Sequence, residues 1–357
     1  MKKLRAAALL LAVFLLAVLA SSLAGCTAEK ERYQKVYLDA FDTAITIVGY
    51  ADSEEAFAEM AEYVHGELIR YHRLYDIYTK YGTLNNLKTV NENAGAAPVA
   101  VDEDIMDLLE FSLKAYDISG GRVNIAMGSV LSIWHDYRNT GINYPDRAKV
   151  PTREELLAAD EHSDISNMVL DRKNGTVFLA DPDMSLDVGA VAKGYATEKI
   201  AQDLIAKGYD NIVLNVGGNV RAIGAKADKN AWVVGIQNPD LSSDTTHIET
   251  IEIEGLSLAT SGVYQRYYVA DGKNYHHIID GETLMPENRY LSVSVLTEDA
   301  GLADALSTAL FNMDFETGSA FAEEFSKGGE AGVFEVMWVL PDGSKRYSDG
   351  FEKYIAE

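Results

Sequence analysis

The sequence predicts an α+β fold: mixed, mostly antiparallel sheets with flanking helices. Two observations carry that expectation. Helical periodicity appears at both ends of the chain body, and a long run of strand-like segments lies between them. Several of those segments are separated by tight-turn pairs, Asn174-Gly175 and Asp271-Gly272, which join neighbouring strands without a helical crossover.

In chain order, residues 36–50 alternate and are rich in β-branched side chains, so they read as one strand around Phe41-Asp42-Thr43. Residues 53–78 have helical spacing, with Ser53 as N-cap ahead of Glu54 and Glu55. A second amphipathic helix covers 102–119 and is stopped by Gly120-Gly121. Asn174-Gly175 between 168–170 and 176–179 signals a hairpin. A short strand at 184–188 then feeds a turn and a helix at 191–207. The buried strand 211–216 runs into Gly217-Gly218-Asn219. Strands follow at 231–236, 247–253, 264–270, 275–280 and 290–296, then helices near 301–311 and 315–326, and a last strand at 333–340.

The N-terminus has the parts of a secretory signal: Lys2, Lys3 and Arg5, an apolar run from Ala6 to Ala20, then Leu23-Ala24-Gly25-Cys26. The apolar run is too short for a comfortable membrane span. Leu-Ala-Gly-Cys resembles the bacterial lipoprotein box, which implies lipidation of Cys26 and a body held outside the cytoplasmic membrane. Residues 1–25 are then the signal, 26–35 a polar tether, and 36–357 one large domain or two intimate lobes. Cys26 is the only cysteine, so no intramolecular disulfide can form. Cleavage before it removes three basic residues and no acid, taking the formal charge from −24 to −27. Such a surface repels nucleic acid and anionic headgroups and tolerates divalent cations.

Five segments are candidates for chemistry. Asp187-Val-Gly-Ala-Val-Ala-Lys-Gly-Tyr195 packs an acid, two glycines and a lysine into a turn that opens a helix, where free N–H groups and Lys193 suit an anion. Its spacing is neither the P-loop nor the dinucleotide fingerprint. Asn215-Val-Gly-Gly-Asn219 is a backbone-rich turn able to lie against a flat ligand. Thr260-Ser-Gly-Val-Tyr-Gln-Arg266 sets hydroxyls, a glycine and an arginine side by side. In Tyr275-His-His-Ile-Ile-Asp280, adjacent strand residues point to opposite faces, so His276 and His277 cannot share one job. Asp304, Ser307 and Thr308 lie on one helical face, an all-oxygen set suited to Mg²⁺ rather than Zn²⁺. Each has an ordinary structural reading too: a glycine turn, a polar loop, one structural and one exposed histidine, an acid with capping hydroxyls.

Taken together and in order, these segments resemble the ApbE-type FAD:protein FMN transferases, from Phe41 to the C-terminus. The resemblance implies transfer of FMN from FAD to a threonine or serine hydroxyl of an extracytoplasmic electron-transfer protein, with release of AMP and with Mg²⁺ present. It implies that the Ala190 carbonyl, Asp304 and Thr308 hold Mg²⁺ with Ser307 beside them. Asp187, Lys193 and the backbone at Ile278 would hold FAD, with Tyr78 and Phe41 on its rings and His277 as the base. Asn124 stands where the family has an aspartate that contacts FAD. Phe41-Asp42-Thr43 and Asp280-Gly-Glu-Thr-Leu-Met-Pro286 also depart from the family's usual Met-Gly-Thr and Asp-Pro-x-Thr-Gly-x-Pro. Two alternatives stay open at this point: an Mg²⁺-dependent FAD pyrophosphatase giving FMN and AMP, and a lipoprotein that binds FAD without turning it over.

Overall fold

The computed structural model describes residues 30–329 and 332–356. The signal segment and Cys26 lie outside them. Fifteen strands and eight α-helices are assigned among the described residues, and the α+β reading is correct.

An eight-stranded sheet forms the centre, in the order β1 (Glu31–Ala40), β2 (Thr43–Ala51), β6 (Ile212–Val216), β7 (Asn219–Ile223), β10 (Ser257–Gly262), β13 (Ser292–Thr297), β14 (Phe334–Val339), β15 (Lys345–Tyr347). Every neighbouring pair in it is antiparallel. The inner strands β13 and β14 are buried along their whole length, which is why they read as apolar runs. Smaller sheets are β3 (Val99–Ala100) with β5 (Thr176–Leu179) and β4 (Met168–Asp171), β8 (Trp232–Gln237) with β9 (His247–Ile253), and β11 (Tyr267–Ala270) with β12 (Lys273–His276).

Helices α1 (Glu54–Tyr75), α2 (Leu87–Glu92), α3 (Glu103–Ile118), α4 (Gly128–Asn143), α5 (Arg153–Asp160), α6 (Ala192–Ala206), α7 (Ala300–Phe311) and α8 (Phe315–Gly328) complete the chain. The main core joins α1, α3, α6 and α7 to one face of the sheet. A second core lies under the β8–β9 hairpin, and a third joins α4 to β11 and the 279–285 loop. Ser53 caps α1 as expected, and Asp102 caps α3, each accepting from a backbone N–H of the first turn.

Several elements differ from the sequence reading. The strand expected over 36–50 is a hairpin, turning at Phe41 and Asp42 with φ of 55° and 50°. Two consecutive positive-φ residues make the turn that two-residue hairpins favour, here without glycine. Strand β1 begins at Glu31, inside the segment expected as a tether. Helix α1 stops at Tyr75, so Tyr78 sits in the loop after it. Residues 184–188 make only an isolated parallel bridge, Met127 with Ser185. Strand β12 ends at His276 instead of running to Asp280. Thr260-Ser261-Gly262 is strand, not loop.

Phe311 is fully buried at the end of α7, edge-on to both His276 and Tyr290. Phe311→Ala is expected to cost about 3–5 kcal/mol in urea unfolding, as for other large core truncations.

Candidate active site

The start of α6 and the middle of α7 meet at Gly194. Its N–H donates to Oδ2 of Asp304 at 2.8 Å. In an unbroken helix that N–H would return to the carbonyl four residues earlier, Ala190. The Ala190 carbonyl is consequently left without a backbone hydrogen bond among the described residues. A Cβ at 194 would lie 2.3 Å from the Ala300 carbonyl oxygen and 2.4 Å from Asp304 Cβ, so only glycine allows this approach.

Asp304 is 7% exposed, and burial raises its pKa, opposed by Lys193, the Gly194 N–H and a side-chain hydrogen bond with Asn219. Lys193 Nζ stands 3.9 Å from Asp304 Oδ2 and 3.4 Å from the Gly189 carbonyl. Next to the carboxylate lies a cluster of hydroxyls. Ser307 Oγ donates to the Asp304 carbonyl at 2.9 Å and also contacts Ser261 Oγ at 2.9 Å, which in turn lies 3.1 Å from Thr308 Oγ1. Asp304, Ser307 and Thr308 thus share one cluster with Ser261 of β10, and the Ala190 carbonyl belongs to the turn just before Gly194, the residue that touches Asp304. Their donors are all oxygen, one of them an ionisable buried carboxylate and one a free carbonyl. That set fits a hard cation such as Mg²⁺.

The two histidines have separate tasks. His276 Nε2 donates to the Glu287 carbonyl at 3.0 Å, and Nδ1 accepts from the Ile278 N–H at 3.2 Å. Both nitrogens are committed, and burial lowers the pKa to about 4. His277 follows at the bend after β12. Its Nδ1 is buried with no hydrogen-bond partner among the described residues. Burial first, then Arg266, His276, Lys193 and Arg138, lowers its pKa to about 3. His277 is therefore a neutral, uncommitted imidazole in a positive surround.

Each of the other expected residues has its own local partners. Asp187 Oδ1 accepts from the Gly189 N–H at 2.8 Å, which pins the turn. Tyr78 Oη lies 2.8 Å from His135 Nδ1. The Tyr78 hydroxyl is raised above its ordinary pKa by desolvation and then by Asp187. Phe41 stands edge-on to His72, with its N–H donating to His72 Nδ1 at 3.2 Å. Asn124 lies elsewhere: its amide donates to the Ser163 carbonyl at 2.9 Å, and it lines a cavity of about 390 Å³ with Asp280, Gly281 and Asn312. Ser163 Oγ and Asn312 Oδ1, at that cavity, are buried without partners. At Ile278, whose backbone is expected to hold FAD, the N–H donates to His276 Nδ1, which leaves the carbonyl for that contact.

Sequence reasoning missed His135 and Arg138, both on α4, and Asp42, whose carbonyl accepts from Arg266 at 3.5 Å. Trp134 and Val130 at i and i+4 were the available signal for α4, since both are buried.

The sequence and the fold are those of a known group. The ApbE family model matches residues 37–333, and the chain belongs to that family. The FAD:protein FMN transferase of Treponema pallidum (strain Nichols) is 35% identical over 278 residues, covering 74% of this chain and 73% of its own length. That of Klebsiella pneumoniae (strain 342) is 31% identical over 249 residues, covering 70% and 74%. The crystal structure of the ApbE protein from Thermotoga maritima superposes with a TM-score of 0.79 at 29% identity, over 92% of this chain and all of that one. The flavin transferase ApbE from Vibrio cholerae shares the fold, with a TM-score of 0.73 at 23% identity over 91% of this chain and 99% of its own.

Two outcomes follow from this geometry. Gly194→Ala must push α6 from α7 and is expected to cost about 1–3 kcal/mol, measured by urea unfolding. His276 and His277 have depressed folded pKa values, so their stabilisation is present above the unfolded value of 6.5 and is lost as pH falls toward about 4 and about 3. Unfolding free energy should therefore decline as the solution is acidified through that window, and His277→Gln should flatten part of the decline.

Proposed function

We propose that this chain is a flavin transferase that moves FMN from FAD to a threonine or serine hydroxyl of a target protein, releasing AMP, with Mg²⁺ at Asp304. The observation that carries the reading is the meeting of the Asp304 carboxylate, the Gly194 amide and the free Ala190 carbonyl, with the uncommitted His277 imidazole near Lys193. Relatives named FAD:protein FMN transferase share the sequence at 35% and 31% identity.

Ala190, Asp304 and Thr308 would hold Mg²⁺, with Ser307 and Ser261 fixing the hydroxyl cluster. When bound, the ion supplies charge neutralisation at the diphosphate. Lys193 adds a second positive charge from the protein. Phe41 and Tyr78 offer flat surface to the flavin. The cavity beside Asn124, lined also by Asp280, Gly281 and Asn312, offers space for a heteroaromatic base such as adenine.

In the transfer, the acceptor oxygen forms a bond to the phosphorus of the FMN moiety. The bond from that phosphorus to the bridging oxygen breaks, and the oxygen leaves with AMP. The hydroxyl proton passes to His277. A depressed pKa weakens the imidazole as a base in the ground state but keeps it unprotonated, and so able to accept, throughout the neutral range. His276 cannot substitute, because both of its nitrogens are used.

The acceptors we envisage are extracytoplasmic electron-transfer proteins. Leu23-Ala24-Gly25-Cys26 supports export and anchoring through Cys26 on the outer side of the membrane, leaving the folded body that opens with β1 at Glu31 as the transferase domain. Among the described residues no helix is long and apolar enough to cross a membrane.

Incubation with FAD, Mg²⁺ and such an acceptor domain should give a covalent flavin adduct visible by in-gel fluorescence, together with AMP. His277→Ala should lower the rate by about 10²–10⁴, the usual worth of a general base, while FAD still binds. AMP release that needs no acceptor protein would instead indicate pyrophosphatase action. Tight FAD binding with no AMP under any condition would overturn both. Cys26→Ser should release the protein from the membrane fraction of expressing cells.

A further inference from the structure

Phe41 stands at the tip of the β1–β2 hairpin and Tyr78 in the loop after α1, yet one chain of hydrogen bonds ties both down. Its members are Asp76, which is the C-cap of α1, His72 in the last turn of that helix, and Tyr81. Asp76 Oδ1 accepts from the Tyr78 N–H at 2.6 Å and from the Thr79 N–H at 3.0 Å. Its other oxygen, Oδ2, accepts from Tyr81 Oη at 2.7 Å. Tyr81 Oη lies 3.3 Å from His72 Nε2, and His72 Nδ1 accepts from the Phe41 N–H at 3.2 Å.

The direction of each bond follows from the one before it. A carboxylate only accepts, so Tyr81 spends its single proton on Asp76. Oη can then only accept from the imidazole, which puts the His72 proton on Nε2. Nδ1 keeps its lone pair, the form that the Phe41 N–H requires. One carboxylate thus fixes the Tyr78 loop through one oxygen and, through two rings, the hairpin tip through the other.

The tip needs such a hold. Phe41 and Asp42 have φ of 55° and 50°, left-handed backbone that a bulky residue keeps only where its surroundings impose it. The rings of Phe41 and Tyr81 also stand edge-on to His72, with centroids at 5.6 and 6.3 Å. His72, Asp76 and Tyr81 are all half-buried, so the polar chain runs between core and surface.

We infer that His72, Tyr81 and Asp76 are positioning residues for the flavin ring. They set the hairpin tip and the Tyr78 loop in place before any ligand arrives, which spares part of the ordering cost of binding. This rests on the reading that Phe41 and Tyr78 take the flavin. The three act through those residues and have no part in phosphoryl transfer, so their effect falls on ring recognition and not on the adenosine half of FAD.

The test is equilibrium binding of riboflavin, FMN and AMP to the full chain in EDTA, without an acceptor. The asparagine side-chain oxygen stands as many bonds from Cα as Nδ1 does, whereas a glutamine amide reaches the place of Nε2. His72→Gln and Tyr81→Phe should therefore each weaken riboflavin and FMN about three- to tenfold, the worth of one hydrogen bond, and leave AMP unchanged. His72→Asn, which keeps an acceptor for Phe41, should retain most of the affinity, and thermal melting should show every variant folded. Equal losses for asparagine and glutamine at 72, a matching loss for AMP, unchanged riboflavin affinity, or no flavin binding by the unmodified chain would each overturn the inference. Flavin binding that follows this order in a chain that flavinylates nothing would sink the transfer reading and leave the positioning role standing. Normal flavinylation with riboflavin affinity indifferent to all three variants would do the reverse.

Discussion

The hydrogen bond from the Gly194 amide to Asp304 is the contact on which the site depends. It exists because residue 194 has no side chain, so α6 can press against α7 at the level of Ala300 and Asp304. One donor does two things there. It satisfies an oxygen of a buried carboxylate, and by leaving its own helix it releases the Ala190 carbonyl. Oxygen atoms from two segments more than a hundred residues apart are brought to one junction by a single backbone choice. The hydroxyls of Ser261, Ser307 and Thr308 extend that oxygen surface onto strand β10.

Charge is distributed against the trend of the molecule. Lys193, Arg138 and Arg266 all help to lower the pKa of the His277 imidazole, while Arg70, Arg172 and Arg221 are held by carboxylates elsewhere.

The sequence exposed most of the frame. Helices α1, α3, α6, α7 and α8 were readable from apolar periodicity, and the β4–β5 hairpin from Asn174-Gly175, because in each case local chemistry and tertiary packing ask for the same conformation. The β1–β2 hairpin was not, since Phe41-Asp42 adopts left-handed backbone with neither asparagine nor glycine to announce it. Helix α4 was hidden for a related reason: Met127 provides no capping side chain and Gly128 is a poor first residue. With it went His135 and Arg138, so the aromatic side of the site was half invisible. Asp304, Ser307 and Thr308 were readable as a pattern on α7, but their junction with α6 depends on a missing Cβ, which no periodicity records.

The abrupt end of β12 has a mechanical meaning. His276 accepts the Ile278 amide across the bend and donates to Glu287, so the chain is hooked around one imidazole before it continues. The next ring, at 277, is thereby mounted on a rigid bracket rather than on the edge of a two-stranded ribbon, whose register and twist fluctuate. Ribbon motions can then reach the β11–β12 turn at Asp271-Gly272 without shifting the neighbouring imidazole.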